Sequence, residues 1–407
     1  MNLRAVLARA LAFKYVGSYG ATNAFVPAPA SFDLIAIGKA AGPIADAVLD
    51  SGGNFCAGVV ILPDGAPAPR PHPRLEVLRA SHPLPDARSV VAGEAALSLA
   101  QKGEGSLLKI EVSGGASSLA AVPIDGVTLD TYRAVTAALL ASGADVRAIN
   151  VVRRHLSRVH GGGLARAAFP RRVATSIVSD VIGGAPHDVG SGPGSPDPTT
   201  LEDARSVLAQ YAPSFRDLPL VETLKPEDFA AEHVASTIVL EPSVLADEIA
   251  RMLKEAGYVP RVLAPSTGNV EQLAREYCTQ ARLLAPGEAV VRTAEPSVEV
   301  TIPQPGSGGR STHLGALVAR DLPPGVEFMA AASDGVDGSS ETGGAIVDAR
   351  SFSKRRDALE AAIAAFDTGP LHRAHGTALP VGPTGLNFAD VHVLVRAKDY
   401  AATGESD

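Results

Sequence analysis

The sequence predicts an α/β protein of two α/β domains, the first Rossmann-like with a largely parallel sheet. Short apolar runs at 33–38, 57–62, 75–80, 107–112 and 173–178 have the length of buried strands, and turn residues and helical periods separate them. Several such runs end in Gly, Ser, Lys or Asp, the residue types that line the carboxyl edge of an open sheet where ligands bind. With 407 residues, 46% of them hydrophobic, the chain exceeds one small core and suggests two or three domains.

Taken in order, the chain begins with Leu3, Val6, Leu7 and Leu11 on one side of a helical period. Arg4, Arg9 and Lys14 accompany them, but no signal-type cleavage site follows, so a docked terminal helix is expected. A strand at 33–38 feeds a helix at 39–49 and leaves Lys39 on the turn. A cation there opposes the helix dipole, and the Gly-Lys-Ala-Ala setting behind a strand favours a functional ammonium. It is not a Walker A motif, because the upstream Gly and the following Ser/Thr are missing. A second strand at 57–62, a Pro-rich loop at 64–74 and a third strand at 75–80 lead to a stiff 81–86 turn. His82 in that turn is either a turn residue or a ligand. A helix follows at 88–101.

The strand 107–112 runs into Ser113-Gly114-Gly115 and a short helix or turn at 116–123 that includes Ser117. Such a junction gathers bare N–H groups and suits an anion. Helices are expected at 128–141 and 145–158; the second carries Asn150, Arg153, Arg154, His155 and Arg158, with structural and ligand roles evenly open. The strand 173–178 ends at Asp180, placed for a metal or a base. Ser191, Gly192 and Pro193 continue that loop, and Thr199 with Glu202 has capping-box spacing. A polar stretch at 211–232 marks the boundary between domains at 1–225 and 235–407, with room for the last residues to pack back on the first.

Beyond it, 237–240, 244–256 and 259–264 repeat strand, helix, strand, and 269–284 is helical. A strand at 298–302 is expected to lead to Arg310, and one at 327–332 to the turn holding Asp334, Gly335 and Asp337. A turn with Thr384 and Asn387 precedes a strand at 391–395.

Net charge is −8, from 36 basic and 44 acidic residues without long runs, which argues against a nucleic-acid surface but leaves room for a small phosphorylated ligand. No apolar run of about 18 residues exists to form a membrane helix. Cys56 and Cys278 lie far apart, as expected of free thiols in a cytoplasmic protein. Cations, Gly-rich turns and acids at strand tips suit phosphoryl transfer, which needs positioning and charge neutralisation.

The segments GKAAG (38–42), SHPLPD (81–86), SGGASS (113–118), INVVRRHLSRVHGGGLA (149–165), SDVIGG with SGPGSPDPTT (179–200), GSGGR (306–310), SDGVDG with GGAIVD (333–348) and VGPTGLN (381–387) occur in register over nearly the whole chain. Together they resemble the glycerate 2-kinase family, which joins an N-terminal glycerate-kinase domain to a C-terminal MOFRL domain. The resemblance implies phosphorylation of D-glycerate at its 2-hydroxyl by ATP with Mg²⁺, giving 2-phosphoglycerate and ADP in an interdomain cleft. It implies Lys39 and Arg310 as catalytic cations and Asp180 as the acid that holds Mg²⁺ or accepts the hydroxyl proton. Ser113, Gly114, Gly115, Ser117 and Arg154 would bind substrate; Ser191, Gly192, Pro193, Asp334, Gly335, Thr384 and Asn387 would bind nucleotide. The partners implied are glycerate or a related hydroxy acid and ATP, without nucleic acid or membrane, for a cytoplasmic monomer or homodimer.

Two departures bear on this. Gly184 and Ala185 stand where the family carries an acid, and Ser311, Thr312 and His313 replace Asn-Gln-Glu. They predict altered metal or nucleotide contacts, another hydroxy-acid substrate, or lost activity, with Asp188 available as a nearby carboxylate. Three alternatives stay open: a kinase for another small hydroxy or sugar acid, an NAD(P)H-dependent hydroxypyruvate reductase, and a catalytically inactive sugar-acid binder. Against the reductase, no G-x-G-x-x-G follows a strand with an acid about twenty residues on.

Overall fold

The computed structural model describes residues 31–382 and 389–399, with Leu3, Ala5 and Val6. Thr384 and Asn387 lie outside the described residues, as do Leu7 and Leu11. The chain divides into two compact units, residues 14–240 and residues 241–407 with 1–13.

The first unit runs β1 (Ser31–Ile37), α1 (Ala41–Asp50), β2 (Asn54–Pro63), β3 (Leu75–Ala80), α2 (Ala87–Lys102), β4 (Leu107–Val112), α3 (Ala116–Leu119), α4 (Leu129–Ala141), α5 (Val146–His155), α6 (Gly163–Ala168), β5 (Arg172–Val178), α7 (Leu201–Tyr211) and β6 (Val234–Leu240). Its six strands are all parallel in the order β3-β2-β1-β4-β5-β6. This is the doubly wound order, in which the winding reverses between β1 and β4 and opens a crevice at their carboxyl ends.

The sequence builds this sheet through short apolar runs buried on both faces. Ile35, Ile37, Val59, Ile61, Leu108, Ile110 and Val112 pack with Ala92, Ala96, Leu97 and Ala100 of α2, whose small residues let the helix lie close to the strands. Each buried Ile or Leu of this kind is worth about 2–5 kcal/mol against Ala. A reciprocal capping box starts α2: the Asp86 side chain accepts from the N–H of Arg88 and Ser89, and Ser89 Oγ accepts from the N–H of Asp86. A separate core of Tyr132, Val135, Leu139, Ile149, Val152 and Leu208 joins α4, α5 and α7.

The second unit runs α8 (Pro242–Glu255), β7 (Val259–Val262), α9 (Val270–Leu283), β8 (Glu288–Ala294), α10 (Arg310–Ala319), β9 (Val326–Ala331), β10 (Gly344–Asp348), α11 (Arg356–Ala364), α12 (Thr368–Ala374) and β11 (Asp390–Arg396). Its five strands lie in the order β10-β9-β11-β8-β7, with only β7 and β8 parallel. Residues of α9 and α10 fill one core of this unit. Residues of α8 fill another, together with Leu3, which is fully buried, and Val6, which packs against it. The expected docking of the N-terminal segment is therefore seen at Leu3.

Several expectations shift. The strand expected at 237–240 is part of β6, which pairs with β5, so it closes the first sheet instead of opening the second unit. The units accordingly meet at Leu240 and Glu241, beyond the 225–235 interval. β11 lies between β9 and β8 in the second sheet. No strand forms at 298–302: only Ser297 makes an isolated bridge, to Asn269, and Val300 is exposed. The capping box falls one residue later than expected, on Thr200 and Asp203, because Thr199 is occupied with Asp197. The short α6 follows Gly162, whose backbone is left-handed.

Candidate active site

The loops after β1 and β4 are joined at the reversal point of the first sheet. The Lys39 N–H donates to the Gly114 carbonyl at 2.9 Å, and the Ser113 N–H donates to the Ile37 carbonyl at 2.9 Å. Ser113 Oγ accepts from the Ala40 N–H at 3.2 Å. The approach is so close that Gly38 admits no side chain: its φ is +135°, and a Cβ would sit 2.1 Å from Ser113 Oγ. Gly115, at φ +89°, lies against His82 and Lys39, since a Cβ there would meet His82 Cδ2 at 2.9 Å and Lys39 Cγ at 3.4 Å.

This junction is rich in unspent donors. Among the described residues, the N–H groups of Gly114 and Gly115 make no hydrogen bond, and the side chains of Lys39 and Arg153 make no hydrogen bond or ion pair. Burial, then the charges of Lys39 and Arg153, hold the His82 imidazole below its ordinary pKa and so neutral at pH 7. Two cations, two bare amides and a neutral imidazole make a receptor for an oxyanion that also carries a hydroxyl.

Behind the 113–117 turn stands a buried polar frame. Ser117 Oγ lies 2.8 Å from Ser191 Oγ, which donates to Asn150 Oδ1 at 3.0 Å, and Asn150 Nδ2 donates to the Asp188 carbonyl at 3.2 Å. One turn on from Asn150, Arg154 Nη1 donates to the His187 carbonyl at 2.9 Å. Its Nε lies 3.2 Å from the fully buried Asp197, and its Nη1 is 3.6 Å from Asp188. The carbonyls of Ser191, Gly192 and Pro193 accept from the N–H groups of Gly161, Gly162 and Leu164 at 3.0, 2.7 and 3.0 Å. Asp180 lies at the carboxyl end of β5, next to β4 in the sheet.

In the second unit, Arg310 opens α10, and its Nε and Nη2 donate to Asp390 at 2.7 and 3.0 Å. Asp337 accepts from the N–H groups of Ser311 and Thr312 at 2.9 and 2.7 Å, capping that helix from a distant turn. Burial raises the Asp337 carboxyl and pushes Asp390 up to about 6, with Arg310 opposing both shifts. Asp334 accepts from the Val336 N–H at 3.0 Å, and the Gly335 carbonyl accepts from the Gly382 N–H at 3.1 Å, so both residues shape a turn.

Comparison with known proteins decides the family. Residues 5–220 match the family described as a domain of unknown function (DUF4147), and residues 284–390 match the MOFRL family. A D-glycerate 2-kinase of Thermotoga maritima is 32% identical over 377 residues, 88% of this chain and 89% of its own. The chain belongs to the glycerate 2-kinase family. A putative hydroxypyruvate reductase of Agrobacterium vitis is 34% identical over 383 residues, 89% of this chain and 86% of its own. A crystal structure of a glycerate kinase from Thermotoga maritima matches with a TM-score of 0.85 and 26% identity, covering 97% of this chain and 98% of that one.

Within this kinase family, the geometry sorts the residues expected from sequence. Lys39, Ser113, Gly114, Gly115 and Ser117 converge on the β1–β4 crevice. Arg154, expected to bind substrate, is 2% exposed, with its Nη1 and Nε facing Asp188, Asp197 and the His187 carbonyl. Its neighbour Arg153, turned about 100° around the helix, carries the unspent guanidinium. Ser191, Gly192 and Pro193, expected at the nucleotide, are likewise buried and bonded within the frame. The i,i+4 spacing of Asn150 and Arg154 puts both on one face of α5. For Asp390, no local pattern pointed to Arg310, which lies 80 residues away.

The family departures are internal. Ser311, Thr312 and His313 are all buried: Ser311 Oγ donates to Asp390 at 3.0 Å, Thr312 bonds to Gly309 and Thr368, and His313 stacks on Phe366 at 5.0 Å. At the other departure, Asp188 accepts from the Ala185 N–H at 3.0 Å, so the neighbouring carboxylate closes the turn.

Proposed function

We propose that this kinase transfers the γ-phosphoryl group of ATP to the 2-hydroxyl of D-glycerate, giving 2-phosphoglycerate and ADP with Mg²⁺. The observation that carries the reading is the crevice itself: Lys39 and Arg153, unpaired among the described residues, beside the free N–H groups of Gly114 and Gly115. Arg153 takes the glycerate carboxylate as a planar donor, and the two glycine amides fix its orientation. Lys39 neutralises charge on the transferring group, and neutral His82 accepts from or donates to a substrate hydroxyl. Asp180 accepts the 2-hydroxyl proton on its carboxylate as the new O–P bond forms. Arg310 offers charge to the nucleotide phosphates.

Among the described residues no cluster of three or more His, Cys, Asp or Glu side chains is arranged for a metal. Asp180 would suit Mg²⁺ that arrives with the triphosphate, since that ion is commonly held by one or two carboxylates plus phosphate oxygens. Bound there, it would offset the charge on the phosphates.

The reductase named among the relatives finds no support at the first βα turn, where Gly38-Lys39-Ala40-Ala41-Gly42 stands in place of G-x-G-x-x-G. The test is ADP release by the full chain with ATP, Mg²⁺ and D-glycerate, with the phosphorylated position assigned by phosphorus NMR. Lys39→Ala should lower glycerate-dependent turnover at least about a hundredfold. No turnover in folded wild-type protein, or turnover that requires NAD(P)H, rejects the reading.

A further inference from the structure

Arg310 is held unusually firmly for a partly exposed arginine. The Nε–Nη2 edge of its guanidinium forks onto both oxygens of Asp390, and Glu295 lies 3.6 Å from Nη2. Asp390 is the first residue of β11, buried, and further fixed by Ser311 Oγ at 3.0 Å. The helix start that carries Arg310 is tied down independently by Asp337. Gly309 is needed for that tie, because a Cβ would sit 2.3 Å from the Asp337 carboxyl. Use of one guanidinium edge leaves Nη1 with no partner among the described residues.

We propose that Asp390 is a positioning residue, which fixes the Arg310 guanidinium through its Nε–Nη2 edge so that Nη1 is presented to a phosphate oxygen of the nucleotide. A flexible arginine would have to be ordered at each turnover, whereas this one is ordered by the fold. The charge at the site is also moderated. Asp390 and Glu295 offset the guanidinium, so the free edge acts as a directed donor more than as a bare cation. The inference rests on the reading that Arg310 acts on the phosphates.

The experiment measures kcat and the KM values for ATP and D-glycerate, together with melting temperature. It compares wild type, Arg310→Ala, Asp390→Asn and the double variant. Expected is a fall in kcat of at least about tenfold in Asp390→Asn with the KM for glycerate unchanged. The double variant should be no worse than Arg310→Ala alone, since the two residues act as one unit. Wild-type kcat in Asp390→Asn, or losses that simply multiply in the double variant, overturns the proposal. If Asp390→Asn fails to fold, Arg310→Lys takes its place, because it keeps the charge but not the fork; wild-type kcat there overturns the proposal equally. Full activity in Arg310→Ala would instead reject the phosphate role of Arg310, a result distinct from a failure of Asp390 alone.

Discussion

Removing the Asp197 carboxylate, as in Asp197→Ala, strands a buried charge and tests the frame behind the crevice. Arg154 is 2% exposed and Asp197 is 0% exposed, so neither reaches water to recover what the other supplies. Breaking one side of a buried pair costs about 3–5 kcal/mol, because an uncompensated charge remains. Two features place this case at the lower end. Arg154 Nε lies 3.2 Å from Asp197 yet lacks hydrogen-bond geometry, so the pair is held mainly by charge. The His187 carbonyl at 2.9 Å and Asp188 at 3.6 Å also stay in place.

A loss of about 3 kcal/mol in a unit of this size corresponds to a melting point lowered by roughly 6–12 °C. The chain has no Trp, so far-UV circular dichroism is the appropriate readout, supported by urea titration. The double variant Arg154→Met, Asp197→Leu removes both charges at similar volume and should recover at least half of the loss. A melt of Asp197→Ala within about 2 °C of wild type would refute the argument, because it would mean the guanidinium is solvated or paired elsewhere.

Two further outcomes follow from the same geometry. Arg153→Ala should raise the KM for D-glycerate at least about tenfold while leaving the melting temperature unchanged, since this arginine binds no protein partner among the described residues; an unchanged KM removes Arg153 from the site. Glu111, fully buried in β4, has its carboxyl pushed up to about 8 by burial, with Lys109 opposing. The folded state disfavours its charged form, so its contribution to stability is full below pH about 4.5 and is lost as pH rises through about 8. Glu111→Gln should therefore melt higher than wild type at pH 9 and match it at pH 4; a lower melt at pH 9 would contradict this.

Much of the first unit was readable from local signals. An apolar run of strand length, a Gly or Ser turn and a helical period lie next to one another in sequence, so 33–38, 107–112 and 173–178 announced β1, β4 and β5. The crevice residues Lys39, Ser113, Gly114 and Gly115 were legible for the same reason, being the turns that end those strands. Pairing was not legible. Nothing local tells β6 to lie beside β5, or β11 to insert between β9 and β8, because register and neighbour are set by which apolar faces meet across long loops.

The choice between Arg153 and Arg154 shows the division most clearly. Sequence put both on one helix with structural and ligand roles evenly open, and their chemistry is the same. Only the packing of Ile149 and Val152 against the α4–α7 core turns Arg154 inward to Asp197 and leaves Arg153 unspent. Arg310 is the same case at longer range: its motif was visible, but the carboxylate that aims it comes from a strand 80 residues away. The sequence by itself determined the elements and the chemical inventory, because those depend on neighbours along the chain. Tertiary structure alone decided which charges are buried in pairs and which remain for a ligand, because desolvation depends on neighbours in space.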